Sequence, residues 1–124
     1  MRILLDTHAL LWWLQGSPRL SSAAKTAMSD PNNKVVVSAA TVWEIAIKVQ
    51  IGKLKAPADL PGYIREQEFE ALSVTVFHGQ RAGALPGPHK DPFDRMLIAQ
   101  AQAEGIPLVS NEEVFDGYGI NRIW

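Results

Sequence analysis

The pattern of hydrophobic and polar positions predicts a chain that begins with a buried strand. The run Arg2–Leu5 does not alternate between apolar and polar residues, which is typical of a strand covered on both faces in a parallel sheet. From Asp6 the apolar spacing becomes helical and stays so to about Gln15. A second unalternating, β-branched run, Lys34–Ser38, predicts another buried strand of the same kind.

Apolar spacing, together with glycine and proline boundaries, divides the rest of the chain in the same way. We predict further helices over 23–29, 41–51, 58–68, 78–85 and 91–104, and a helical turn over 111–115. Further strands are predicted over 71–76, 106–110 and 120–124, and a loop over 86–90. Strands that alternate with helices indicate the α/β class with a mostly parallel central sheet.

The composition limits the classes of function. A length of 124 residues predicts a single domain over 1–124, and the net charge of −1 means that any basic surface must be local. The chain has no cysteine, which excludes disulfides, thiolate metal sites and a cysteine nucleophile. It has no apolar run long enough to span a bilayer and no pattern of a signal peptide. We therefore expect a cytoplasmic protein without membrane attachment.

Acidic residues follow the predicted strands at several places. Asp6 ends the first strand, Glu44 lies early in the helix after the second strand, at the position of a capping box, and Glu112 follows the fourth strand. These three positions fall at one edge of a parallel sheet, where α/β proteins bind ligands. Asp6 is also a natural N-cap of the helix that follows, and one residue can have both roles.

The predicted helix over 91–104 adds two more acids. Asp91 is a natural N-cap, whereas Asp94 lies deeper, among apolar residues, and needs a partner there, which is either Arg95 or a cation. Carboxylates that meet at one edge repel one another unless a hard cation is bound. Oxygen ligands without cysteine favour Mg²⁺ or Mn²⁺, and such a site suits phosphodiester chemistry.

Several segments together resemble the PIN-domain family, and within it the VapC-type toxins of bacterial toxin–antitoxin pairs. The resemblance covers nearly the whole chain in the family's order. It is most specific in Trp43-Glu44-Ile45-Ala46-Ile47-Lys48 and Asp91-Pro92-Phe93-Asp94-Arg95, and it extends to Leu4–Trp12, Gly52-Lys53-Leu54 and Leu108-Val109-Ser110.

The resemblance implies a three-layer α/β/α sandwich and a Mg²⁺- or Mn²⁺-dependent endoribonuclease, usually a homodimer, that a cognate antitoxin inhibits. The family's three characteristic acids, which would also be the metal ligands, fall on Asp6, Glu44 and Asp94. Asp91 belongs to the pattern of this subgroup and would assist. The fourth acidic position departs from the usual family pattern, and it falls either on Glu112 or on Asp116.

The mechanism that follows is hydrolysis of an RNA phosphodiester. Asp6 and Asp94 would hold the metal, and Glu44 would be a further ligand or would orient the attacking water. Ser110 or Thr7 would hydrogen-bond a carboxylate or a water molecule. Candidate RNA contacts are the basic residues near the same rim, namely Lys48, Lys53, Lys55, Lys90 and Arg95.

Two other functions stay open at this point. The first is a metal-binding PIN-like regulatory or binding module with weak or no catalysis. The second is a receiver-like phosphoacceptor domain, which requires an Asp at the end of a central strand and a Lys after a later strand. The sequence weighs against the receiver, because the second predicted strand ends in Val37-Ser38 and no predicted strand ends in Lys.

Overall fold

The computed structural model describes residues 1–87 and 89–124. The predicted loop over 86–90 includes Pro88, which lies outside the described residues. The strands of the described chain are β1 (Arg2–Leu5), β2 (Lys34–Ser38), β3 (Glu70–Leu72), β4 (Leu108–Val109) and β5 (Arg122–Ile123). The helices are α1 (Thr7–Gln15), α2 (Ser22–Ser29), α3 (Ala39–Gln50), α4 (Leu60–Glu66), α5 (Val76–Ala84) and α6 (Pro92–Glu104), with a 3₁₀ helix over Glu113–Tyr118.

The strands form one sheet in the order β3-β2-β1-β4-β5, and every neighbouring pair is parallel. Strand β1 is central, pairing Leu4 with Val36 of β2 and with Leu108 of β4. Its apolar residues Ile3, Leu4 and Leu5 are fully buried. Burial on both faces explains why this run does not alternate, and the predicted α/β class with a parallel sheet is confirmed.

Two apolar cores, one on each face of the sheet, make the fold a three-layer α/β/α sandwich. On one face, Ile3 and Leu5 of β1 pack with residues of helices α1 to α4, such as Leu10 and Ile45. On the other face, Leu4 packs with Val36 and with residues of α6 and the 3₁₀ helix, namely Leu97, Ile98, Ala101 and Phe115. Alternate residues of β1 thus serve opposite cores, as strand geometry requires.

The third predicted strand is the largest error in the predicted elements. Strand β3 ends at Leu72, and α5 already begins at Val76. The Thr75 side chain accepts a hydrogen bond from the His78 backbone N–H, and the His78 ring accepts one from the Thr75 N–H. This capping box starts a helix where β-branched residues favour a strand, and Val76 is 93% exposed rather than buried in the sheet.

The third helix also begins earlier than predicted. Its N-cap is Ser38, whose hydroxyl accepts a hydrogen bond from the Ala40 N–H at 3.0 Å. Glu44 is therefore the sixth residue of α3 rather than a first-turn residue, and its interpretation as a capping-box partner is wrong. Strands β1 and β2 have the predicted bounds, and the other elements were found with shifted or shortened bounds.

Two of the candidate acids lie at the N-termini of helices α1 and α6. Asp6 and Asp91 are the N-caps of these helices, as predicted, and Gly105 ends α6 in a left-handed conformation. No helix formed by residues 1–87 and 89–124 is long and apolar enough to cross a bilayer.

Candidate active site

Asp6 lies directly after the central strand, at the edge where the parallel strands end. Its carboxylate accepts a hydrogen bond from the Ala9 backbone N–H at 2.8 Å, and only 3% of the residue is exposed. Burial raises the pKa of Asp6 from 3.8 to about 6; hydrogen bonds from Ser110 and Ala9 act in the opposite direction. Asp6 is therefore a helix cap and also a buried carboxylate that is costly to ionise.

Ser110 and Glu112 bring the end of strand β4 to Asp6. The buried Ser110 side chain lies close enough to the Asp6 carboxylate to lower its pKa, and the Ser110 hydroxyl accepts a hydrogen bond from the Glu112 backbone N–H at 3.0 Å. The negative charge of Glu112 contributes to the raised pKa of both Asp6 and Asp94. Glu112 therefore belongs to the same acidic cluster, and the hydrogen bond from Ser110 to a carboxylate stays a prediction that its effect on the pKa of Asp6 supports.

Asp116, the other candidate for the fourth acid, is engaged elsewhere. Its two carboxylate oxygens receive hydrogen bonds from Nε and Nη2 of Arg122, at 2.9 and 3.1 Å, and its pKa is lowered by this contact. Because Arg122 already neutralises Asp116, the geometry favours Glu112 as the fourth acid.

Helix α6 carries Asp94 to the cluster. The pKa of Asp94 is raised from 3.8 to about 6, mainly by burial and also by the charges of Asp91 and Glu112, while a hydrogen bond from His89 acts in the opposite direction. Asp91 is exposed, and its carboxylate accepts hydrogen bonds from the backbone N–H groups of Phe93 and Asp94. The predicted capping role of Asp91 is confirmed, and its negative charge lies close enough to act on Asp94.

Within the described chain, the partner of Asp94 is His89 and not Arg95, the residue that the sequence suggested. His89 Nε2 lies 2.7 Å from Asp94 Oδ2. The predicted pairing of Arg95 with an acid is wrong, because the Arg95 guanidinium donates to the backbone carbonyls of Ala82, Gly83, Leu85 and His89. Sequence reasoning missed His89; the available signal was a histidine five residues before a partly buried Asp.

Glu44 occupies a third corner of the site, on helix α3. It is 7% exposed, its Oε1 accepts a hydrogen bond from the Thr7 hydroxyl, and its Oε2 lies 2.8 Å from Lys48 Nζ. The pKa of Lys48 is raised first by Glu44 and also by the charges of Asp91 and Asp94. Lys48 therefore lies between Glu44 and the acids of α6.

The donor set fits a hard divalent cation. Asp6 offers buried and Asp94 partly buried carboxylate oxygens, and within the described chain neither carboxylate is paired with lysine or arginine. Among these residues no three Asp, Glu or His side chains are grouped closely enough to form a complete ligand shell. Two carboxylates with water at the remaining positions are the usual protein site for Mg²⁺.

The fold and this acidic edge together define a class of protein. The sequence model of the PIN domain matches residues 3–121, and the chain belongs to the PIN domain family. The predicted resemblance is thereby confirmed. Among characterised proteins, the chain is similar to ribonuclease VapC22 of Mycobacterium tuberculosis, with 26% identity over 113 residues that cover 89% of this chain and 86% of the relative.

Solved structures share the fold. VapBC2 of Rickettsia felis, bound to a DNA fragment from its promoter, matches with a TM-score of 0.73 and 17% identity, covering all of both chains. VapBC-1 of nontypeable Haemophilus influenzae matches with a TM-score of 0.67 and 16% identity, covering 98% of this chain and 96% of that chain. The PIN domain endonuclease Utp24 matches with a TM-score of 0.56 and 14% identity, covering 98% of this chain and 90% of that chain.

Proposed function

We propose that this chain is a Mg²⁺- or Mn²⁺-dependent endoribonuclease that acts as the toxin of a toxin–antitoxin pair. The observation that carries the proposal is the pair of carboxylates Asp6, which is buried, and Asp94, which is partly buried, each with a pKa raised to about 6 in a PIN-domain fold. Perturbed carboxylates in such a position are typical of functional sites. The similarity to a protein named a ribonuclease supports the choice of RNA as substrate.

Asp6 and Asp94 would hold the cation, and their helices fix them in place. A bound Mg²⁺ or Mn²⁺ supplies Lewis acidity, which lowers the pKa of water and neutralises charge that develops on the phosphodiester. Ser110 orients the Asp6 carboxylate through its hydroxyl. Glu112 adds negative charge, and Asp91 does the same from the helix cap.

Glu44 is better suited to orient the attacking water than to bind the cation directly. Thr7 and Lys48 already occupy its two oxygens, so direct ligation would break one of these contacts. Lys48 in turn places a positive charge beside the acids, where an anionic phosphate arrives. Exposed lysines that would extend the RNA contact are Lys53, Lys55 and Lys90. The proposal places this activity in the cytoplasm, where cellular RNA is found.

The proposal includes two protein partners. Several similar structures are VapBC or FitAB assemblies, which supports a cognate antitoxin for this chain. Helix α3 and its C-cap present an apolar stripe at four-residue spacing, formed by Trp43 and Ile47 of the helix and the C-cap Ile51, with Trp43 64% exposed and packed edge-on against Phe93. A stripe of this kind supports a homodimer, in which it would be covered.

The decisive experiment measures RNA cleavage by purified protein with Mg²⁺, with Mn²⁺ and with EDTA, comparing wild type with Asp94→Asn. In parallel, the 5′ ends of cellular RNA are sequenced after induced expression in bacteria, so that a selective target is found. We expect new 5′ ends for wild type only, and cleavage that EDTA abolishes. Cleavage that persists in EDTA or in Asp94→Asn would contradict the metal mechanism.

Isothermal titration with Mn²⁺ separates this function from the alternative of a metal-binding regulatory module. A nuclease binds Mn²⁺ and produces new 5′ ends in cells. A protein that binds Mn²⁺ through Asp94 but produces none in cells or in vitro would be the binding module instead.

A further inference from the structure

We propose that His89 is a positioning residue for Asp94: its Nε2–H holds one carboxylate oxygen so that the other faces the cation. This inference rests on the proposed function, because it assigns a role toward the cation that Asp94 would bind. The contact is direct, with 2.7 Å between His89 Nε2 and Asp94 Oδ2. The hydrogen bond occupies Oδ2 only, and within the described residues Oδ1 has no hydrogen-bond donor.

The histidine ring is held from a second side. Its plane is nearly perpendicular to that of Phe115, at 88° with the ring centroids 6.2 Å apart. Phe115 itself is fully buried in the core beneath α6. About one fifth of the His89 side chain and one fifth of the Asp94 side chain are exposed. A ring fixed between a core aromatic residue and a carboxylate loses little freedom when it orients that carboxylate.

Arg95 fixes the backbone of His89. The Arg95 Nη1 donates to the His89 carbonyl at 3.1 Å, and its other nitrogens donate to the carbonyls of Ala82, Gly83 and Leu85 at the end of α5. One guanidinium thus ties α5 and the loop after it to α6, the helix that carries Asp94. This explains why Arg95 follows Asp94 directly in the chain: it anchors the loop from which His89 reaches back.

The competing interpretation is that His89 occupies the place of the cation and must leave when the cation binds. The packing on Phe115 argues against it, because the ring would lose this contact if it moved off Asp94, and Arg95 holds the backbone so that only the side chain could move. In protein metal sites, residues that hydrogen-bond a ligand carboxylate typically support metal binding, and their loss weakens it about 10- to 100-fold. If the cation instead had to displace His89, removing the His89 side chain would strengthen metal binding.

The test compares His89→Phe with His89→Gln. The phenylalanine keeps a ring that can pack on Phe115 but has no donor, whereas glutamine keeps an N–H donor at a similar distance from the backbone. We expect Mn²⁺ to bind His89→Phe about tenfold more weakly than wild type by isothermal titration, and His89→Gln to recover most of the affinity. The kcat for RNA cleavage should fall in His89→Phe with KM for RNA nearly unchanged, since the effect is on Asp94 and not on RNA binding.

Circular dichroism and thermal unfolding of the metal-free variants accompany the titration, so that affinity is compared between folded proteins. An equal or tighter Mn²⁺ affinity in His89→Phe would overturn the positioning role, as would the same loss in His89→Gln as in His89→Phe. Wild-type protein that binds no Mn²⁺ and cleaves no RNA would instead refute the proposed function, and this inference with it. The two failures are therefore distinguishable.

Discussion

Helix α6 carries a carboxylate near each end, and the two are in opposite electrostatic surroundings. Glu104 closes the helix, where the dipole disfavours negative charge, and Arg2 Nη1 lies 3.1 Å from its carboxylate. The same Arg2 also forms an ion pair with Glu70. Asp94 lies in the first turn, where the dipole favours it, yet its pKa is raised to about 6 by burial and by neighbouring acids.

The difference between these ends shows which acids serve structure. At the Arg2 end, two partly buried acids share one guanidinium, which offsets part of their negative charge. At the Asp94 end, Asp6 and Glu112 join Asp94, and only a histidine is paired with it within the described residues. The fold thus places a guanidinium between the acids at one end of α6 and, in the part of the chain that the structure describes, none paired with Asp94 at the other, and an acidic cluster short of positive charge suits a cation.

Replacing Asp6 by Asn gives the largest expected effect, and its two consequences have opposite sign. RNA cleavage should fall on the order of 10³-fold, because one of two carboxylates for the cation is lost. The free energy of unfolding of the metal-free protein at pH 7.5 should rise by about 3 kcal/mol, because a carboxylate with a pKa of about 6 no longer has to be ionised while buried. Steady-state kinetics measure RNA cleavage, and urea denaturation in EDTA measures the free energy of unfolding.

Asp59→Asn is the matched control for this substitution. Asp59 is also a helix N-cap that accepts a backbone hydrogen bond, from the Gly62 N–H at 3.0 Å, but it caps α4 and is exposed. Asn preserves a cap in both proteins. The control should change neither activity nor stability appreciably. A destabilised Asp6→Asn protein would show that the Asp6 carboxylate serves the fold, as Glu104 does.

Local patterns were sufficient to predict the centre of this site. The unalternating run of β1 placed Asp6 at the edge of a parallel sheet, and helix start signals placed Asp91 as a cap with Asp94 one turn behind it. These features depend on residues within a few positions of one another. Strand propensity gave a wrong prediction where a helix cap determined the structure. The capping box at Thr75 begins helix α5 in a β-branched stretch.

Contacts between distant elements could not be predicted from such patterns. That Lys48 lies near Asp94, and that Arg122 neutralises Asp116, depends on how elements pack in three dimensions. His89 is close to Asp94 in the chain, but their contact depends on a loop that Arg95 holds through backbone carbonyls. Backbone carbonyls are identical at every position, so no side-chain pattern reveals them as the partners of Arg95.

The second prediction separates Glu112 from Asp116 as the fourth acid. Glu112→Gln should lower RNA cleavage about 10- to 100-fold, because it removes a charge that acts on both Asp6 and Asp94. Asp116→Asn should leave cleavage unchanged, because Arg122 already neutralises that carboxylate. Steady-state kinetics with Mn²⁺ measure both variants. If Asp116→Asn lowers cleavage and Glu112→Gln does not, the fourth acid is Asp116 of the 3₁₀ helix and the assignment of Glu112 is refuted.

The third prediction tests the ion pairs that Arg2 forms at the C-terminal end of helix α6. Arg2→Met should lower the free energy of unfolding by about 1 to 2 kcal/mol, because Glu70 and Glu104 lose their shared partner at a partly exposed position. Arg19→Met, at an exposed position, is the control and should have little effect. The kcat for RNA cleavage should stay at the wild-type value below the unfolding temperature. A selective loss of activity in Arg2→Met would show that the two ends of α6 are coupled.

The smallest expected effect is the pH dependence of the stabilisation by Asp6→Asn. The folded-state pKa of Asp6 is raised to about 6 from 3.8, so its cost is fully present above pH 6 and disappears as the pH falls toward 3.8. The advantage of Asp6→Asn over wild type should therefore shrink by about 1 kcal/mol between pH 7.5 and pH 5.5, measured by urea denaturation in EDTA. Comparison with wild type at each pH cancels the titration of the three histidines, which both proteins share. If the stability difference between Asp6→Asn and wild type instead grows toward pH 5.5, folding favours the ionised Asp6 carboxylate. Asp6 would then resemble the acids that are paired with Arg2.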